Sequence, residues 1–434
     1  MTRKTRRILF TAAVAVFLMA GLVVTLYAQG YRWDFKTNRF LLAGGIYLKS
    51  KPKDARVFLN GKDLGQHTPY LIKNLLPLRQ YKVKITKPGY QSWEKEFNIE
   101  PGYVVEAENI FLFPDKLNSQ IIWNDAELKD FSISPDEKWL ALKTSANQLA
   151  LAQLSNTNAT ATPISFGDKR RTTEIELLEN GRGWSANSKK FIFQRRLGTN
   201  QTLWYLWDTE SSKLINLTAA YERDIVLKTP ATAPLPSKFT ASKVMWFGND
   251  NTLAALISNQ LFQIDLEKSG LVDLKMSEVI DFDIFDGKII ALKKPDILLA
   301  LDSNVQNVTA IAQLKFGPQK VLFSTEGARV AYYNNQKLGV IWLKEITKQP
   351  QRQLNDQEII LENKNVLANV YWHAIEEHIV YLESGQMQTA ELDGRSNRNT
   401  AVWPEKITAF NYLASLEKLY MLEGEQIRVF PDKF

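Results

Sequence analysis

A chain of 434 residues exceeds one typical domain, so two or three folded units are expected, and 45% hydrophobic with 11% aromatic residues excludes general disorder. The absence of cysteine removes disulfides, thiolate metal sites, cysteine nucleophiles and a lipid-bearing cysteine in one step. The formal charge of +7 is lopsided: residues 1–30 hold four basic and no acidic side chains, residues 31–115 hold 14 against 9, and residues 116–434 hold 36 against 38. A basic stem therefore precedes a near-neutral bulk, and nucleic-acid binding loses the support that net charge alone would give it.

Residues 8–28 form a run of 21 without charge, roughly 31 Å long as a helix, which matches a bilayer core. Ile8, Phe10, Phe17 and Leu22 carry its apolar surface, and Tyr27 and Ala28 end it. Arg3, Lys4, Arg6 and Arg7 precede it, so the positive-inside rule holds the N-terminus in the cytoplasm and places the bulk of the chain outside. Tyr27, Tyr31 and Trp33 cluster at the far end, where aromatic rings favour the headgroup layer. A cleaved signal peptide shares the basic start, but its apolar region runs to roughly 7–15 residues, and Leu26 stands where cleavage before Gln29 needs a small residue. A buried core helix would have less asymmetric flanks. No second run of this length follows Phe40, so a single span is expected, with residues 1–30 as start and span and 31–43 as a juxtamembrane segment.

Residues 44–115 read as a small β-sandwich of short alternating runs separated by turn chemistry. Asn60-Gly61 is a tight-hairpin signal, because both residues accept positive φ. Pro88-Gly89 and Pro101-Gly102 punctuate the later strands. Pro52, Ala55, Val57, Asn60-Gly61, Gly65, Thr68-Pro69, Leu75, Tyr81, Val83 and Gly89-Tyr90 together resemble the PEGA family of small extracytoplasmic β domains over about 70 residues. Two places depart from that pattern: the signature tetrad reads Pro52-Lys53-Asp54-Ala55, and Leu78-Arg79-Gln80 replaces the usual glycine before the tyrosine strand. The resemblance implies an envelope or surface setting without catalysis. The motif residues are expected in turns and core. Lys49, Lys51, Lys53 and Lys62 read as a solvated basic face, with anionic headgroups or wall polymers the alternative contact.

Residues 116–434 contain an internal repeat of apolar strand, polar turn, apolar strand, gap and third strand. Seven copies have turns starting at Pro135, Ala186, Gly248, Asp286, Thr325, Ala374 and Leu413, about 46 residues apart on average, which is the length of a propeller blade. About seven blades are expected, with six or eight left open, and residues 120–123 or the strand ending at Phe113 would close the ring. In the second copy Trp184-Ser185 is read as the first strand. Ser134-Pro135-Asp136 with Lys138 and Leu140-Ala141-Leu142 resembles the repeat of TolB-like and WD40-like propellers, and Trp184-Ser185 and Trp207-Asp208 echo it. That resemblance implies binding of proteins or peptides, occasionally polysaccharide.

Catalytic and metal signatures are weak. His373 and His378 flank Glu376-Glu377 but lie five apart, whereas a zinc-binding helix needs four; they read as hairpin residues, and His67 is the chain's other histidine. Asp281, Asp283 and Asp286-Gly287 lack the oxygen spacing of a calcium loop, and Phe282, Ile284 and Phe285 make the segment a strand entering a turn. No phosphate-cradling glycine loop or nucleophile elbow occurs. Residues 155–182 and 218–242 are long for inter-blade connections; the Asn/Thr-rich 155–162 and Lys169-Arg170-Arg171 in the first read as solvated, Pro230, Pro234 and Pro236 favour extended backbone in the second, and partner contact is the alternative reading. The expectation is a mainly β, single-pass, extracytoplasmic protein of the cell envelope without catalytic residues, cofactor or metal. Its partners are expected to be the membrane and a protein or peptide, with cell-wall polysaccharide the other class and no nucleic acid. The alternatives are a wall- or glycan-associated enzyme using the propeller cleft, which would need paired carboxylates, and a cytoplasmic propeller scaffold of inverted topology.

Overall fold

The computed structural model describes residues 2–430 except 117, 146, 155–159, 168–169, 199–200, 226–235, 237, 269, 302–306, 363, 366 and 414–415. The chain divides into two compact units, Met1–Asp115 with Ile346–Gln351 and Asp393–Asn399, and the remainder from Lys116 onward.

The first unit opens with helix α1, Arg3–Ala28, capped by the Thr2 hydroxyl accepting the Thr5 amide at 3.3 Å. None of its residues is buried, and it is the one helix among the described residues long and apolar enough to cross a membrane. A short hairpin follows, β1 (Tyr31–Asp34) against β2 (Arg39–Leu42). Seven strands then make two sheets: β3 (Gly44–Lys51), β4 (Arg56–Leu59), β5 (Lys62–His67), β6 (Tyr70–Leu75), β7 (Gln80–Thr86), β8 (Trp93–Asn98) and β9 (Val104–Phe111). Their orders are β6-β3-β9 and β5-β4-β7-β8, with β3 parallel to β9. Alternation puts Ile46, Leu48, Val57, Val83, Ile85 and Phe97 into one shared core.

The later segments complete this unit by covering the outer edge of β9. The Gln349 side chain donates to the Val104 carbonyl at 3.0 Å and accepts the Glu106 amide at 3.1 Å, while Arg395 donates to the Glu106 carbonyl at 2.8 Å. An edge strand is thereby denied free pairing groups. The wholly buried Lys95 ammonium donates to the Asp393 carbonyl at 2.7 Å.

The described residues of the second unit form seven four-stranded antiparallel sheets. Six are consecutive along the chain, spanning 128–163, 172–216, 241–276, 279–313, 320–361 and 367–406. The seventh joins Ala409–Leu413, Lys418–Glu423 and Gln426–Phe430 to β10 (Gln120–Asn124), so the unit's first strand completes its last sheet. This is a β-propeller. Successive sheets share cores: Trp204 and Leu206 pack with Val244 and Leu253, and Leu128 and Phe131 pack with Tyr420 and Ile427 where the ring closes.

All seven expected turn starts fall at or within the connections between first and second strands. The closing strand is 120–124, and the strand ending near Phe113 belongs to the other unit. Two readings need correction. The first strand of the second sheet is Thr172–Glu176; Trp184 makes only an isolated bridge to Phe191. Residues 155–182 are thus no simple connection, since Thr162–Pro163 is the outer strand of one sheet and Thr172–Glu176 the first of the next. Thr172–Glu176 hides from a hydrophobic pattern because Ile175 is its one buried residue.

Ring closure carries a prediction. Ile427 is fully buried in the closing sheet, whereas Ile121 of β10 is about half exposed. Ile427→Ala is expected to lower the propeller's unfolding free energy by about 2–4 kcal/mol and Ile121→Ala by less than about 0.5 kcal/mol, read from urea midpoints.

Candidate functional site

The first strands of neighbouring sheets approach one another around the propeller axis, and polar side chains bridge them. Asp281 and Asp283, two residues apart on one face of Val279–Phe285, accept the Val321 and Phe323 amides of the next sheet at 2.8 and 2.7 Å. Asn411 does the same across the closing junction, accepting the Ile133 amide and donating to the Phe131 carbonyl, both at 3.3 Å. The Tyr371 hydroxyl donates to the Phe410 carbonyl at 2.9 Å, and the indoles of Trp246 and Trp372 donate to the Gly183 and Leu322 carbonyls at 2.9 and 3.2 Å. Backbone groups at a strand edge are thus satisfied by side chains where no strand is available.

Between these strands lies a cavity of about 300 Å³. Trp204, Met245, Ile280, Val321 and Leu322 give it apolar walls, while Glu176, Glu179, Arg182, Lys243, Asp281 and Lys320 supply three charges of each sign. Every one of those charges is engaged. Lys243 reaches Asp281 at 2.7 Å and donates to the Phe282 carbonyl at 2.7 Å. Lys320 pairs with Glu179 at 2.6 Å, Glu176 with Arg196 at 3.3 Å, and Arg182 with the fully buried Asp283. Burial pulls the Lys243 ammonium below its ordinary pKa, opposed chiefly by the Asp281 charge, and pulls the Arg182 guanidinium down as well. Burial likewise pushes the Tyr333 hydroxyl well up, with Glu179 and Asp281 adding to the effect.

Close to this group, burial pushes Asp130 up to about 6; the Phe131 amide and Lys143 oppose it, and Glu179 and Glu176 reinforce it.

The Ser-Pro-Asp repeat motif turns out to be turn chemistry. The Ser134 hydroxyl donates to Asp136 at 2.7 Å and accepts the Trp139 amide at 2.9 Å, while Asp136 accepts the Lys138 amide at 3.1 Å. Ser185 and Asn187 repeat the arrangement at the next turn. Neighbouring turns also join: Ser188 accepts the Asp136 amide at 3.1 Å, Lys418 pairs with Glu137 at 2.7 Å, and Arg329 and Thr325 both donate to Glu376 at 2.8 Å.

The residues singled out from sequence fall as follows. Ile8, Phe10, Phe17, Leu22, Tyr27 and Ala28 are exposed along α1, and Arg3, Lys4, Arg6 and Arg7 lie in its first turns. Ala55 is fully buried, and its amide donates to the Thr68 hydroxyl at 3.1 Å. Pro52 and Pro69 follow cis peptide bonds. Asn60 and Gly61 have φ of 50° and 80°, the primed turn between β4 and β5. Gly65 and Gly89 also have positive φ, and Tyr90 packs on the core. Asp54, at the third position of the tetrad, and Leu78, in the turn lacking its glycine, both adopt positive φ, at 63° and 59°. His373 and His378 are buried with ring centres 5.9 Å apart beside the sixth sheet's turn, and His373 stacks on Tyr412. Of the long 218–242 segment, Tyr221 and Phe239 pack in the core shared by the second and third sheets; Pro236 accepts the Tyr221 hydroxyl at 3.3 Å, while Pro230 and Pro234 lie outside the described residues, as does Lys169. The axial residues Arg182, Lys243 and Asn411 are absent from the sequence reading; only Asn411 offers a signal there, as the lone polar side chain of the apolar first strand Ala409–Leu413.

A small two-sheet β domain and a β-propeller are thus the two globular parts of this chain. Residues 43–110 match the model of the PEGA domain. No curated protein matches the chain in sequence. Among solved structures, the chain is similar to the β-propeller domain of Cps50 (Swd1) from Myceliophteria thermophila, at 11% identity over 72% of this chain and 98% of that one, with a TM-score of 0.45. It is also similar to PorZ of the type-IX secretion system of Porphyromonas gingivalis, at 11% identity, 73% and 38% coverage and a TM-score of 0.45. The tricorn protease is similar at 15% identity, 86% and 40% coverage and a TM-score of 0.46. The chain spans less than half of either of the last two proteins, and at these TM-scores the propeller assignment rests on the strand pairing itself.

Two predictions follow from the axial charges. Asp281→Asn leaves Lys243 uncompensated and is expected to cost about 2–4 kcal/mol, much of it recovered by adding Lys243→Met, in urea unfolding of both variants. Asp130 has a folded pKa above its unfolded one, so its ionisation opposes folding: the penalty is absent below about pH 4, grows through about pH 6 and is full above it. Asp130→Asn is therefore expected to stabilise at pH 8 by up to about 3 kcal/mol, with the gain vanishing toward pH 4, in melting curves taken across that range.

Proposed function

We propose that this chain is a single-pass membrane protein of the cell envelope, with its N-terminus in the cytoplasm and its bulk outside, whose propeller is a non-catalytic binding platform for a protein or peptide. The observation that carries this reading is the state of the axial cavity: each acidic group in it is committed to an ion pair or a backbone amide. General acid–base chemistry needs a carboxyl free to exchange a proton with substrate, and a nucleophile needs an unengaged base. Apolar walls with fixed donors and acceptors suit an extended chain segment instead. The basic start and the uncharged run of residues 8–28 support the anchored, N-in reading. α1, if retained, holds the platform near the membrane and raises its local concentration there.

Asp130 supports a second reading, a wall- or glycan-directed enzyme, because its raised carboxyl lies near Glu176 and Glu179.

Placing a photo-crosslinking side chain at Gln319, which lines the cavity, and another at the exposed Gln153 separates the two in intact cells. Expected are crosslinks to a defined protein from position 319 and none from 153, with binding by the purified partner lost in Lys320→Glu. Absence of protein crosslinks, together with cleavage of wall glycan that stops in Asp130→Asn, would reverse the assignment. A mature soluble form beginning near Gln29 would refute the retained anchor.

A further inference from the structure

Residues 31–42, within the segment expected to be juxtamembrane, are a hairpin in which Tyr31 pairs with Leu42 and Trp33 with Phe40. It is tied to the end of α1: Arg32 donates to the Tyr27 carbonyl at 2.8 Å with its guanidinium 3.6 Å from the Tyr27 ring, and the Ala43 amide donates to the Gly30 carbonyl at 2.9 Å. Asp34 holds the turn, accepting the Lys36 amide at 3.2 Å and the Thr37 hydroxyl at 2.8 Å, and pairs with Arg79. A second tie runs from Arg32 to the Asn74 side chain at 2.7 Å.

On this support sit large side chains that the unit leaves partly or almost wholly open. Phe35 at the tip is 84% exposed; Trp33 and Phe40 are also exposed, with ring centres 4.9 Å apart in an edge-to-face pair. Lys36 and Arg39 flank them, exposed, while the hairpin's one acidic residue, Asp34, is buried and paired. Tyr31 stands three residues and Trp33 five beyond the end of an apolar helix, the Arg32–Tyr27 contact holds the base of the hairpin against that end, and the unopposed Lys36 and Arg39 follow in the same hairpin.

We infer that this hairpin lies in the membrane's outer headgroup layer, Trp33, Phe35 and Phe40 entering the acyl boundary and Lys36 and Arg39 meeting lipid phosphates. The inference rests on α1 spanning the bilayer as proposed above. Continuity with the apolar helix selects lipid over a protein partner, since rings at this position meet headgroups as soon as the helix is inserted, and amphipathic aromatics are favoured there. The hairpin then fixes the depth of the helix end and joins it without slack to β3.

Because the chain has no cysteine, single substitutions give unique spin-label sites. Full-length protein in phosphatidylcholine–phosphatidylglycerol vesicles would be labelled separately at Phe35→Cys, Leu18→Cys in mid-helix and Lys62→Cys on the exposed start of β5. The expected result is roughly tenfold lower collision with a water-soluble nickel chelate at 35 than at 62, with oxygen collision raised, and a still deeper label at 18. A label at 35 as water-accessible as that at 62, with 18 in lipid, overturns the hairpin inference and leaves the anchor standing. With 18 in water the anchor reading fails, and the hairpin inference that rests on it fails with it. Spin–spin broadening at 35 that disappears on dilution with unlabelled protein would assign the patch to a second copy and overturn the lipid contact.

Discussion

A four-stranded sheet with two apolar faces cannot stand alone, and the propeller depends on meeting that constraint at every junction. Each face is covered by a neighbouring sheet, so a linear row would leave two faces and two edges exposed. β10 removes the deficit. By pairing Gln120 with Val429 and Asn124 with Gln426, it makes the unit's two sequence-distant ends one sheet, and Leu128 and Phe131 then find Tyr420 and Ile427. The bond pattern is ordinary antiparallel pairing; what distinguishes it is a loop closure of some three hundred residues. The entropy of such a closure grows only slowly with length, so one short strand can hold it once the intervening sheets have stacked.

Closure brings the first strands together at the axis with edges that no further strand can pair. Asp281, Asp283 and Asn411 solve this by serving as acceptors for amides across the gap. Buried carboxylates are costly unless compensated, which is why Lys243 and Arg182 stand opposite the two aspartates. The ion pairs in the cavity are therefore consequences of building the ring, before they are features of a site.

This origin explains what was legible in the sequence and what was not. Turn positions and the apolar second and third strands announce themselves through local chemistry, as Ser134-Pro135-Asp136 does by capping its own turn. The PEGA-like domain is equally local, with Asn60-Gly61 and Gly89 placed by backbone dihedrals. Thr172–Glu176 escaped because a first strand that faces polar neighbours need bury only Ile175. Fourth strands such as Gly270–Met276 and Val308–Gln313 bury few residues, Leu274 and Met276 in the first and none in the second, and so alternate weakly. Asp281 and Asp283 were correctly assigned to a strand entering a turn, yet their role depends on amides forty residues away, which no local pattern encodes. Asp54 and Leu78 show the converse: residues that break a motif by identity keep its backbone, since both occupy the positive φ that glycine would adopt freely.

The cavity's charge arrangement constrains any ligand that enters it. A ligand of single charge would have to separate a pair such as Lys243 and Asp281, leaving one member buried without compensation. A ligand offering both signs, or the alternating donors and acceptors of a peptide backbone, can exchange partners one for one while its side chains meet Trp204, Met245 and Val321. On the proposed reading, selectivity then comes from which side chains the apolar walls accept, and affinity from how much of the pairing survives the exchange. The same logic disfavours a bare cation or anion as occupant, because the ring has already neutralised the charges that would attract it.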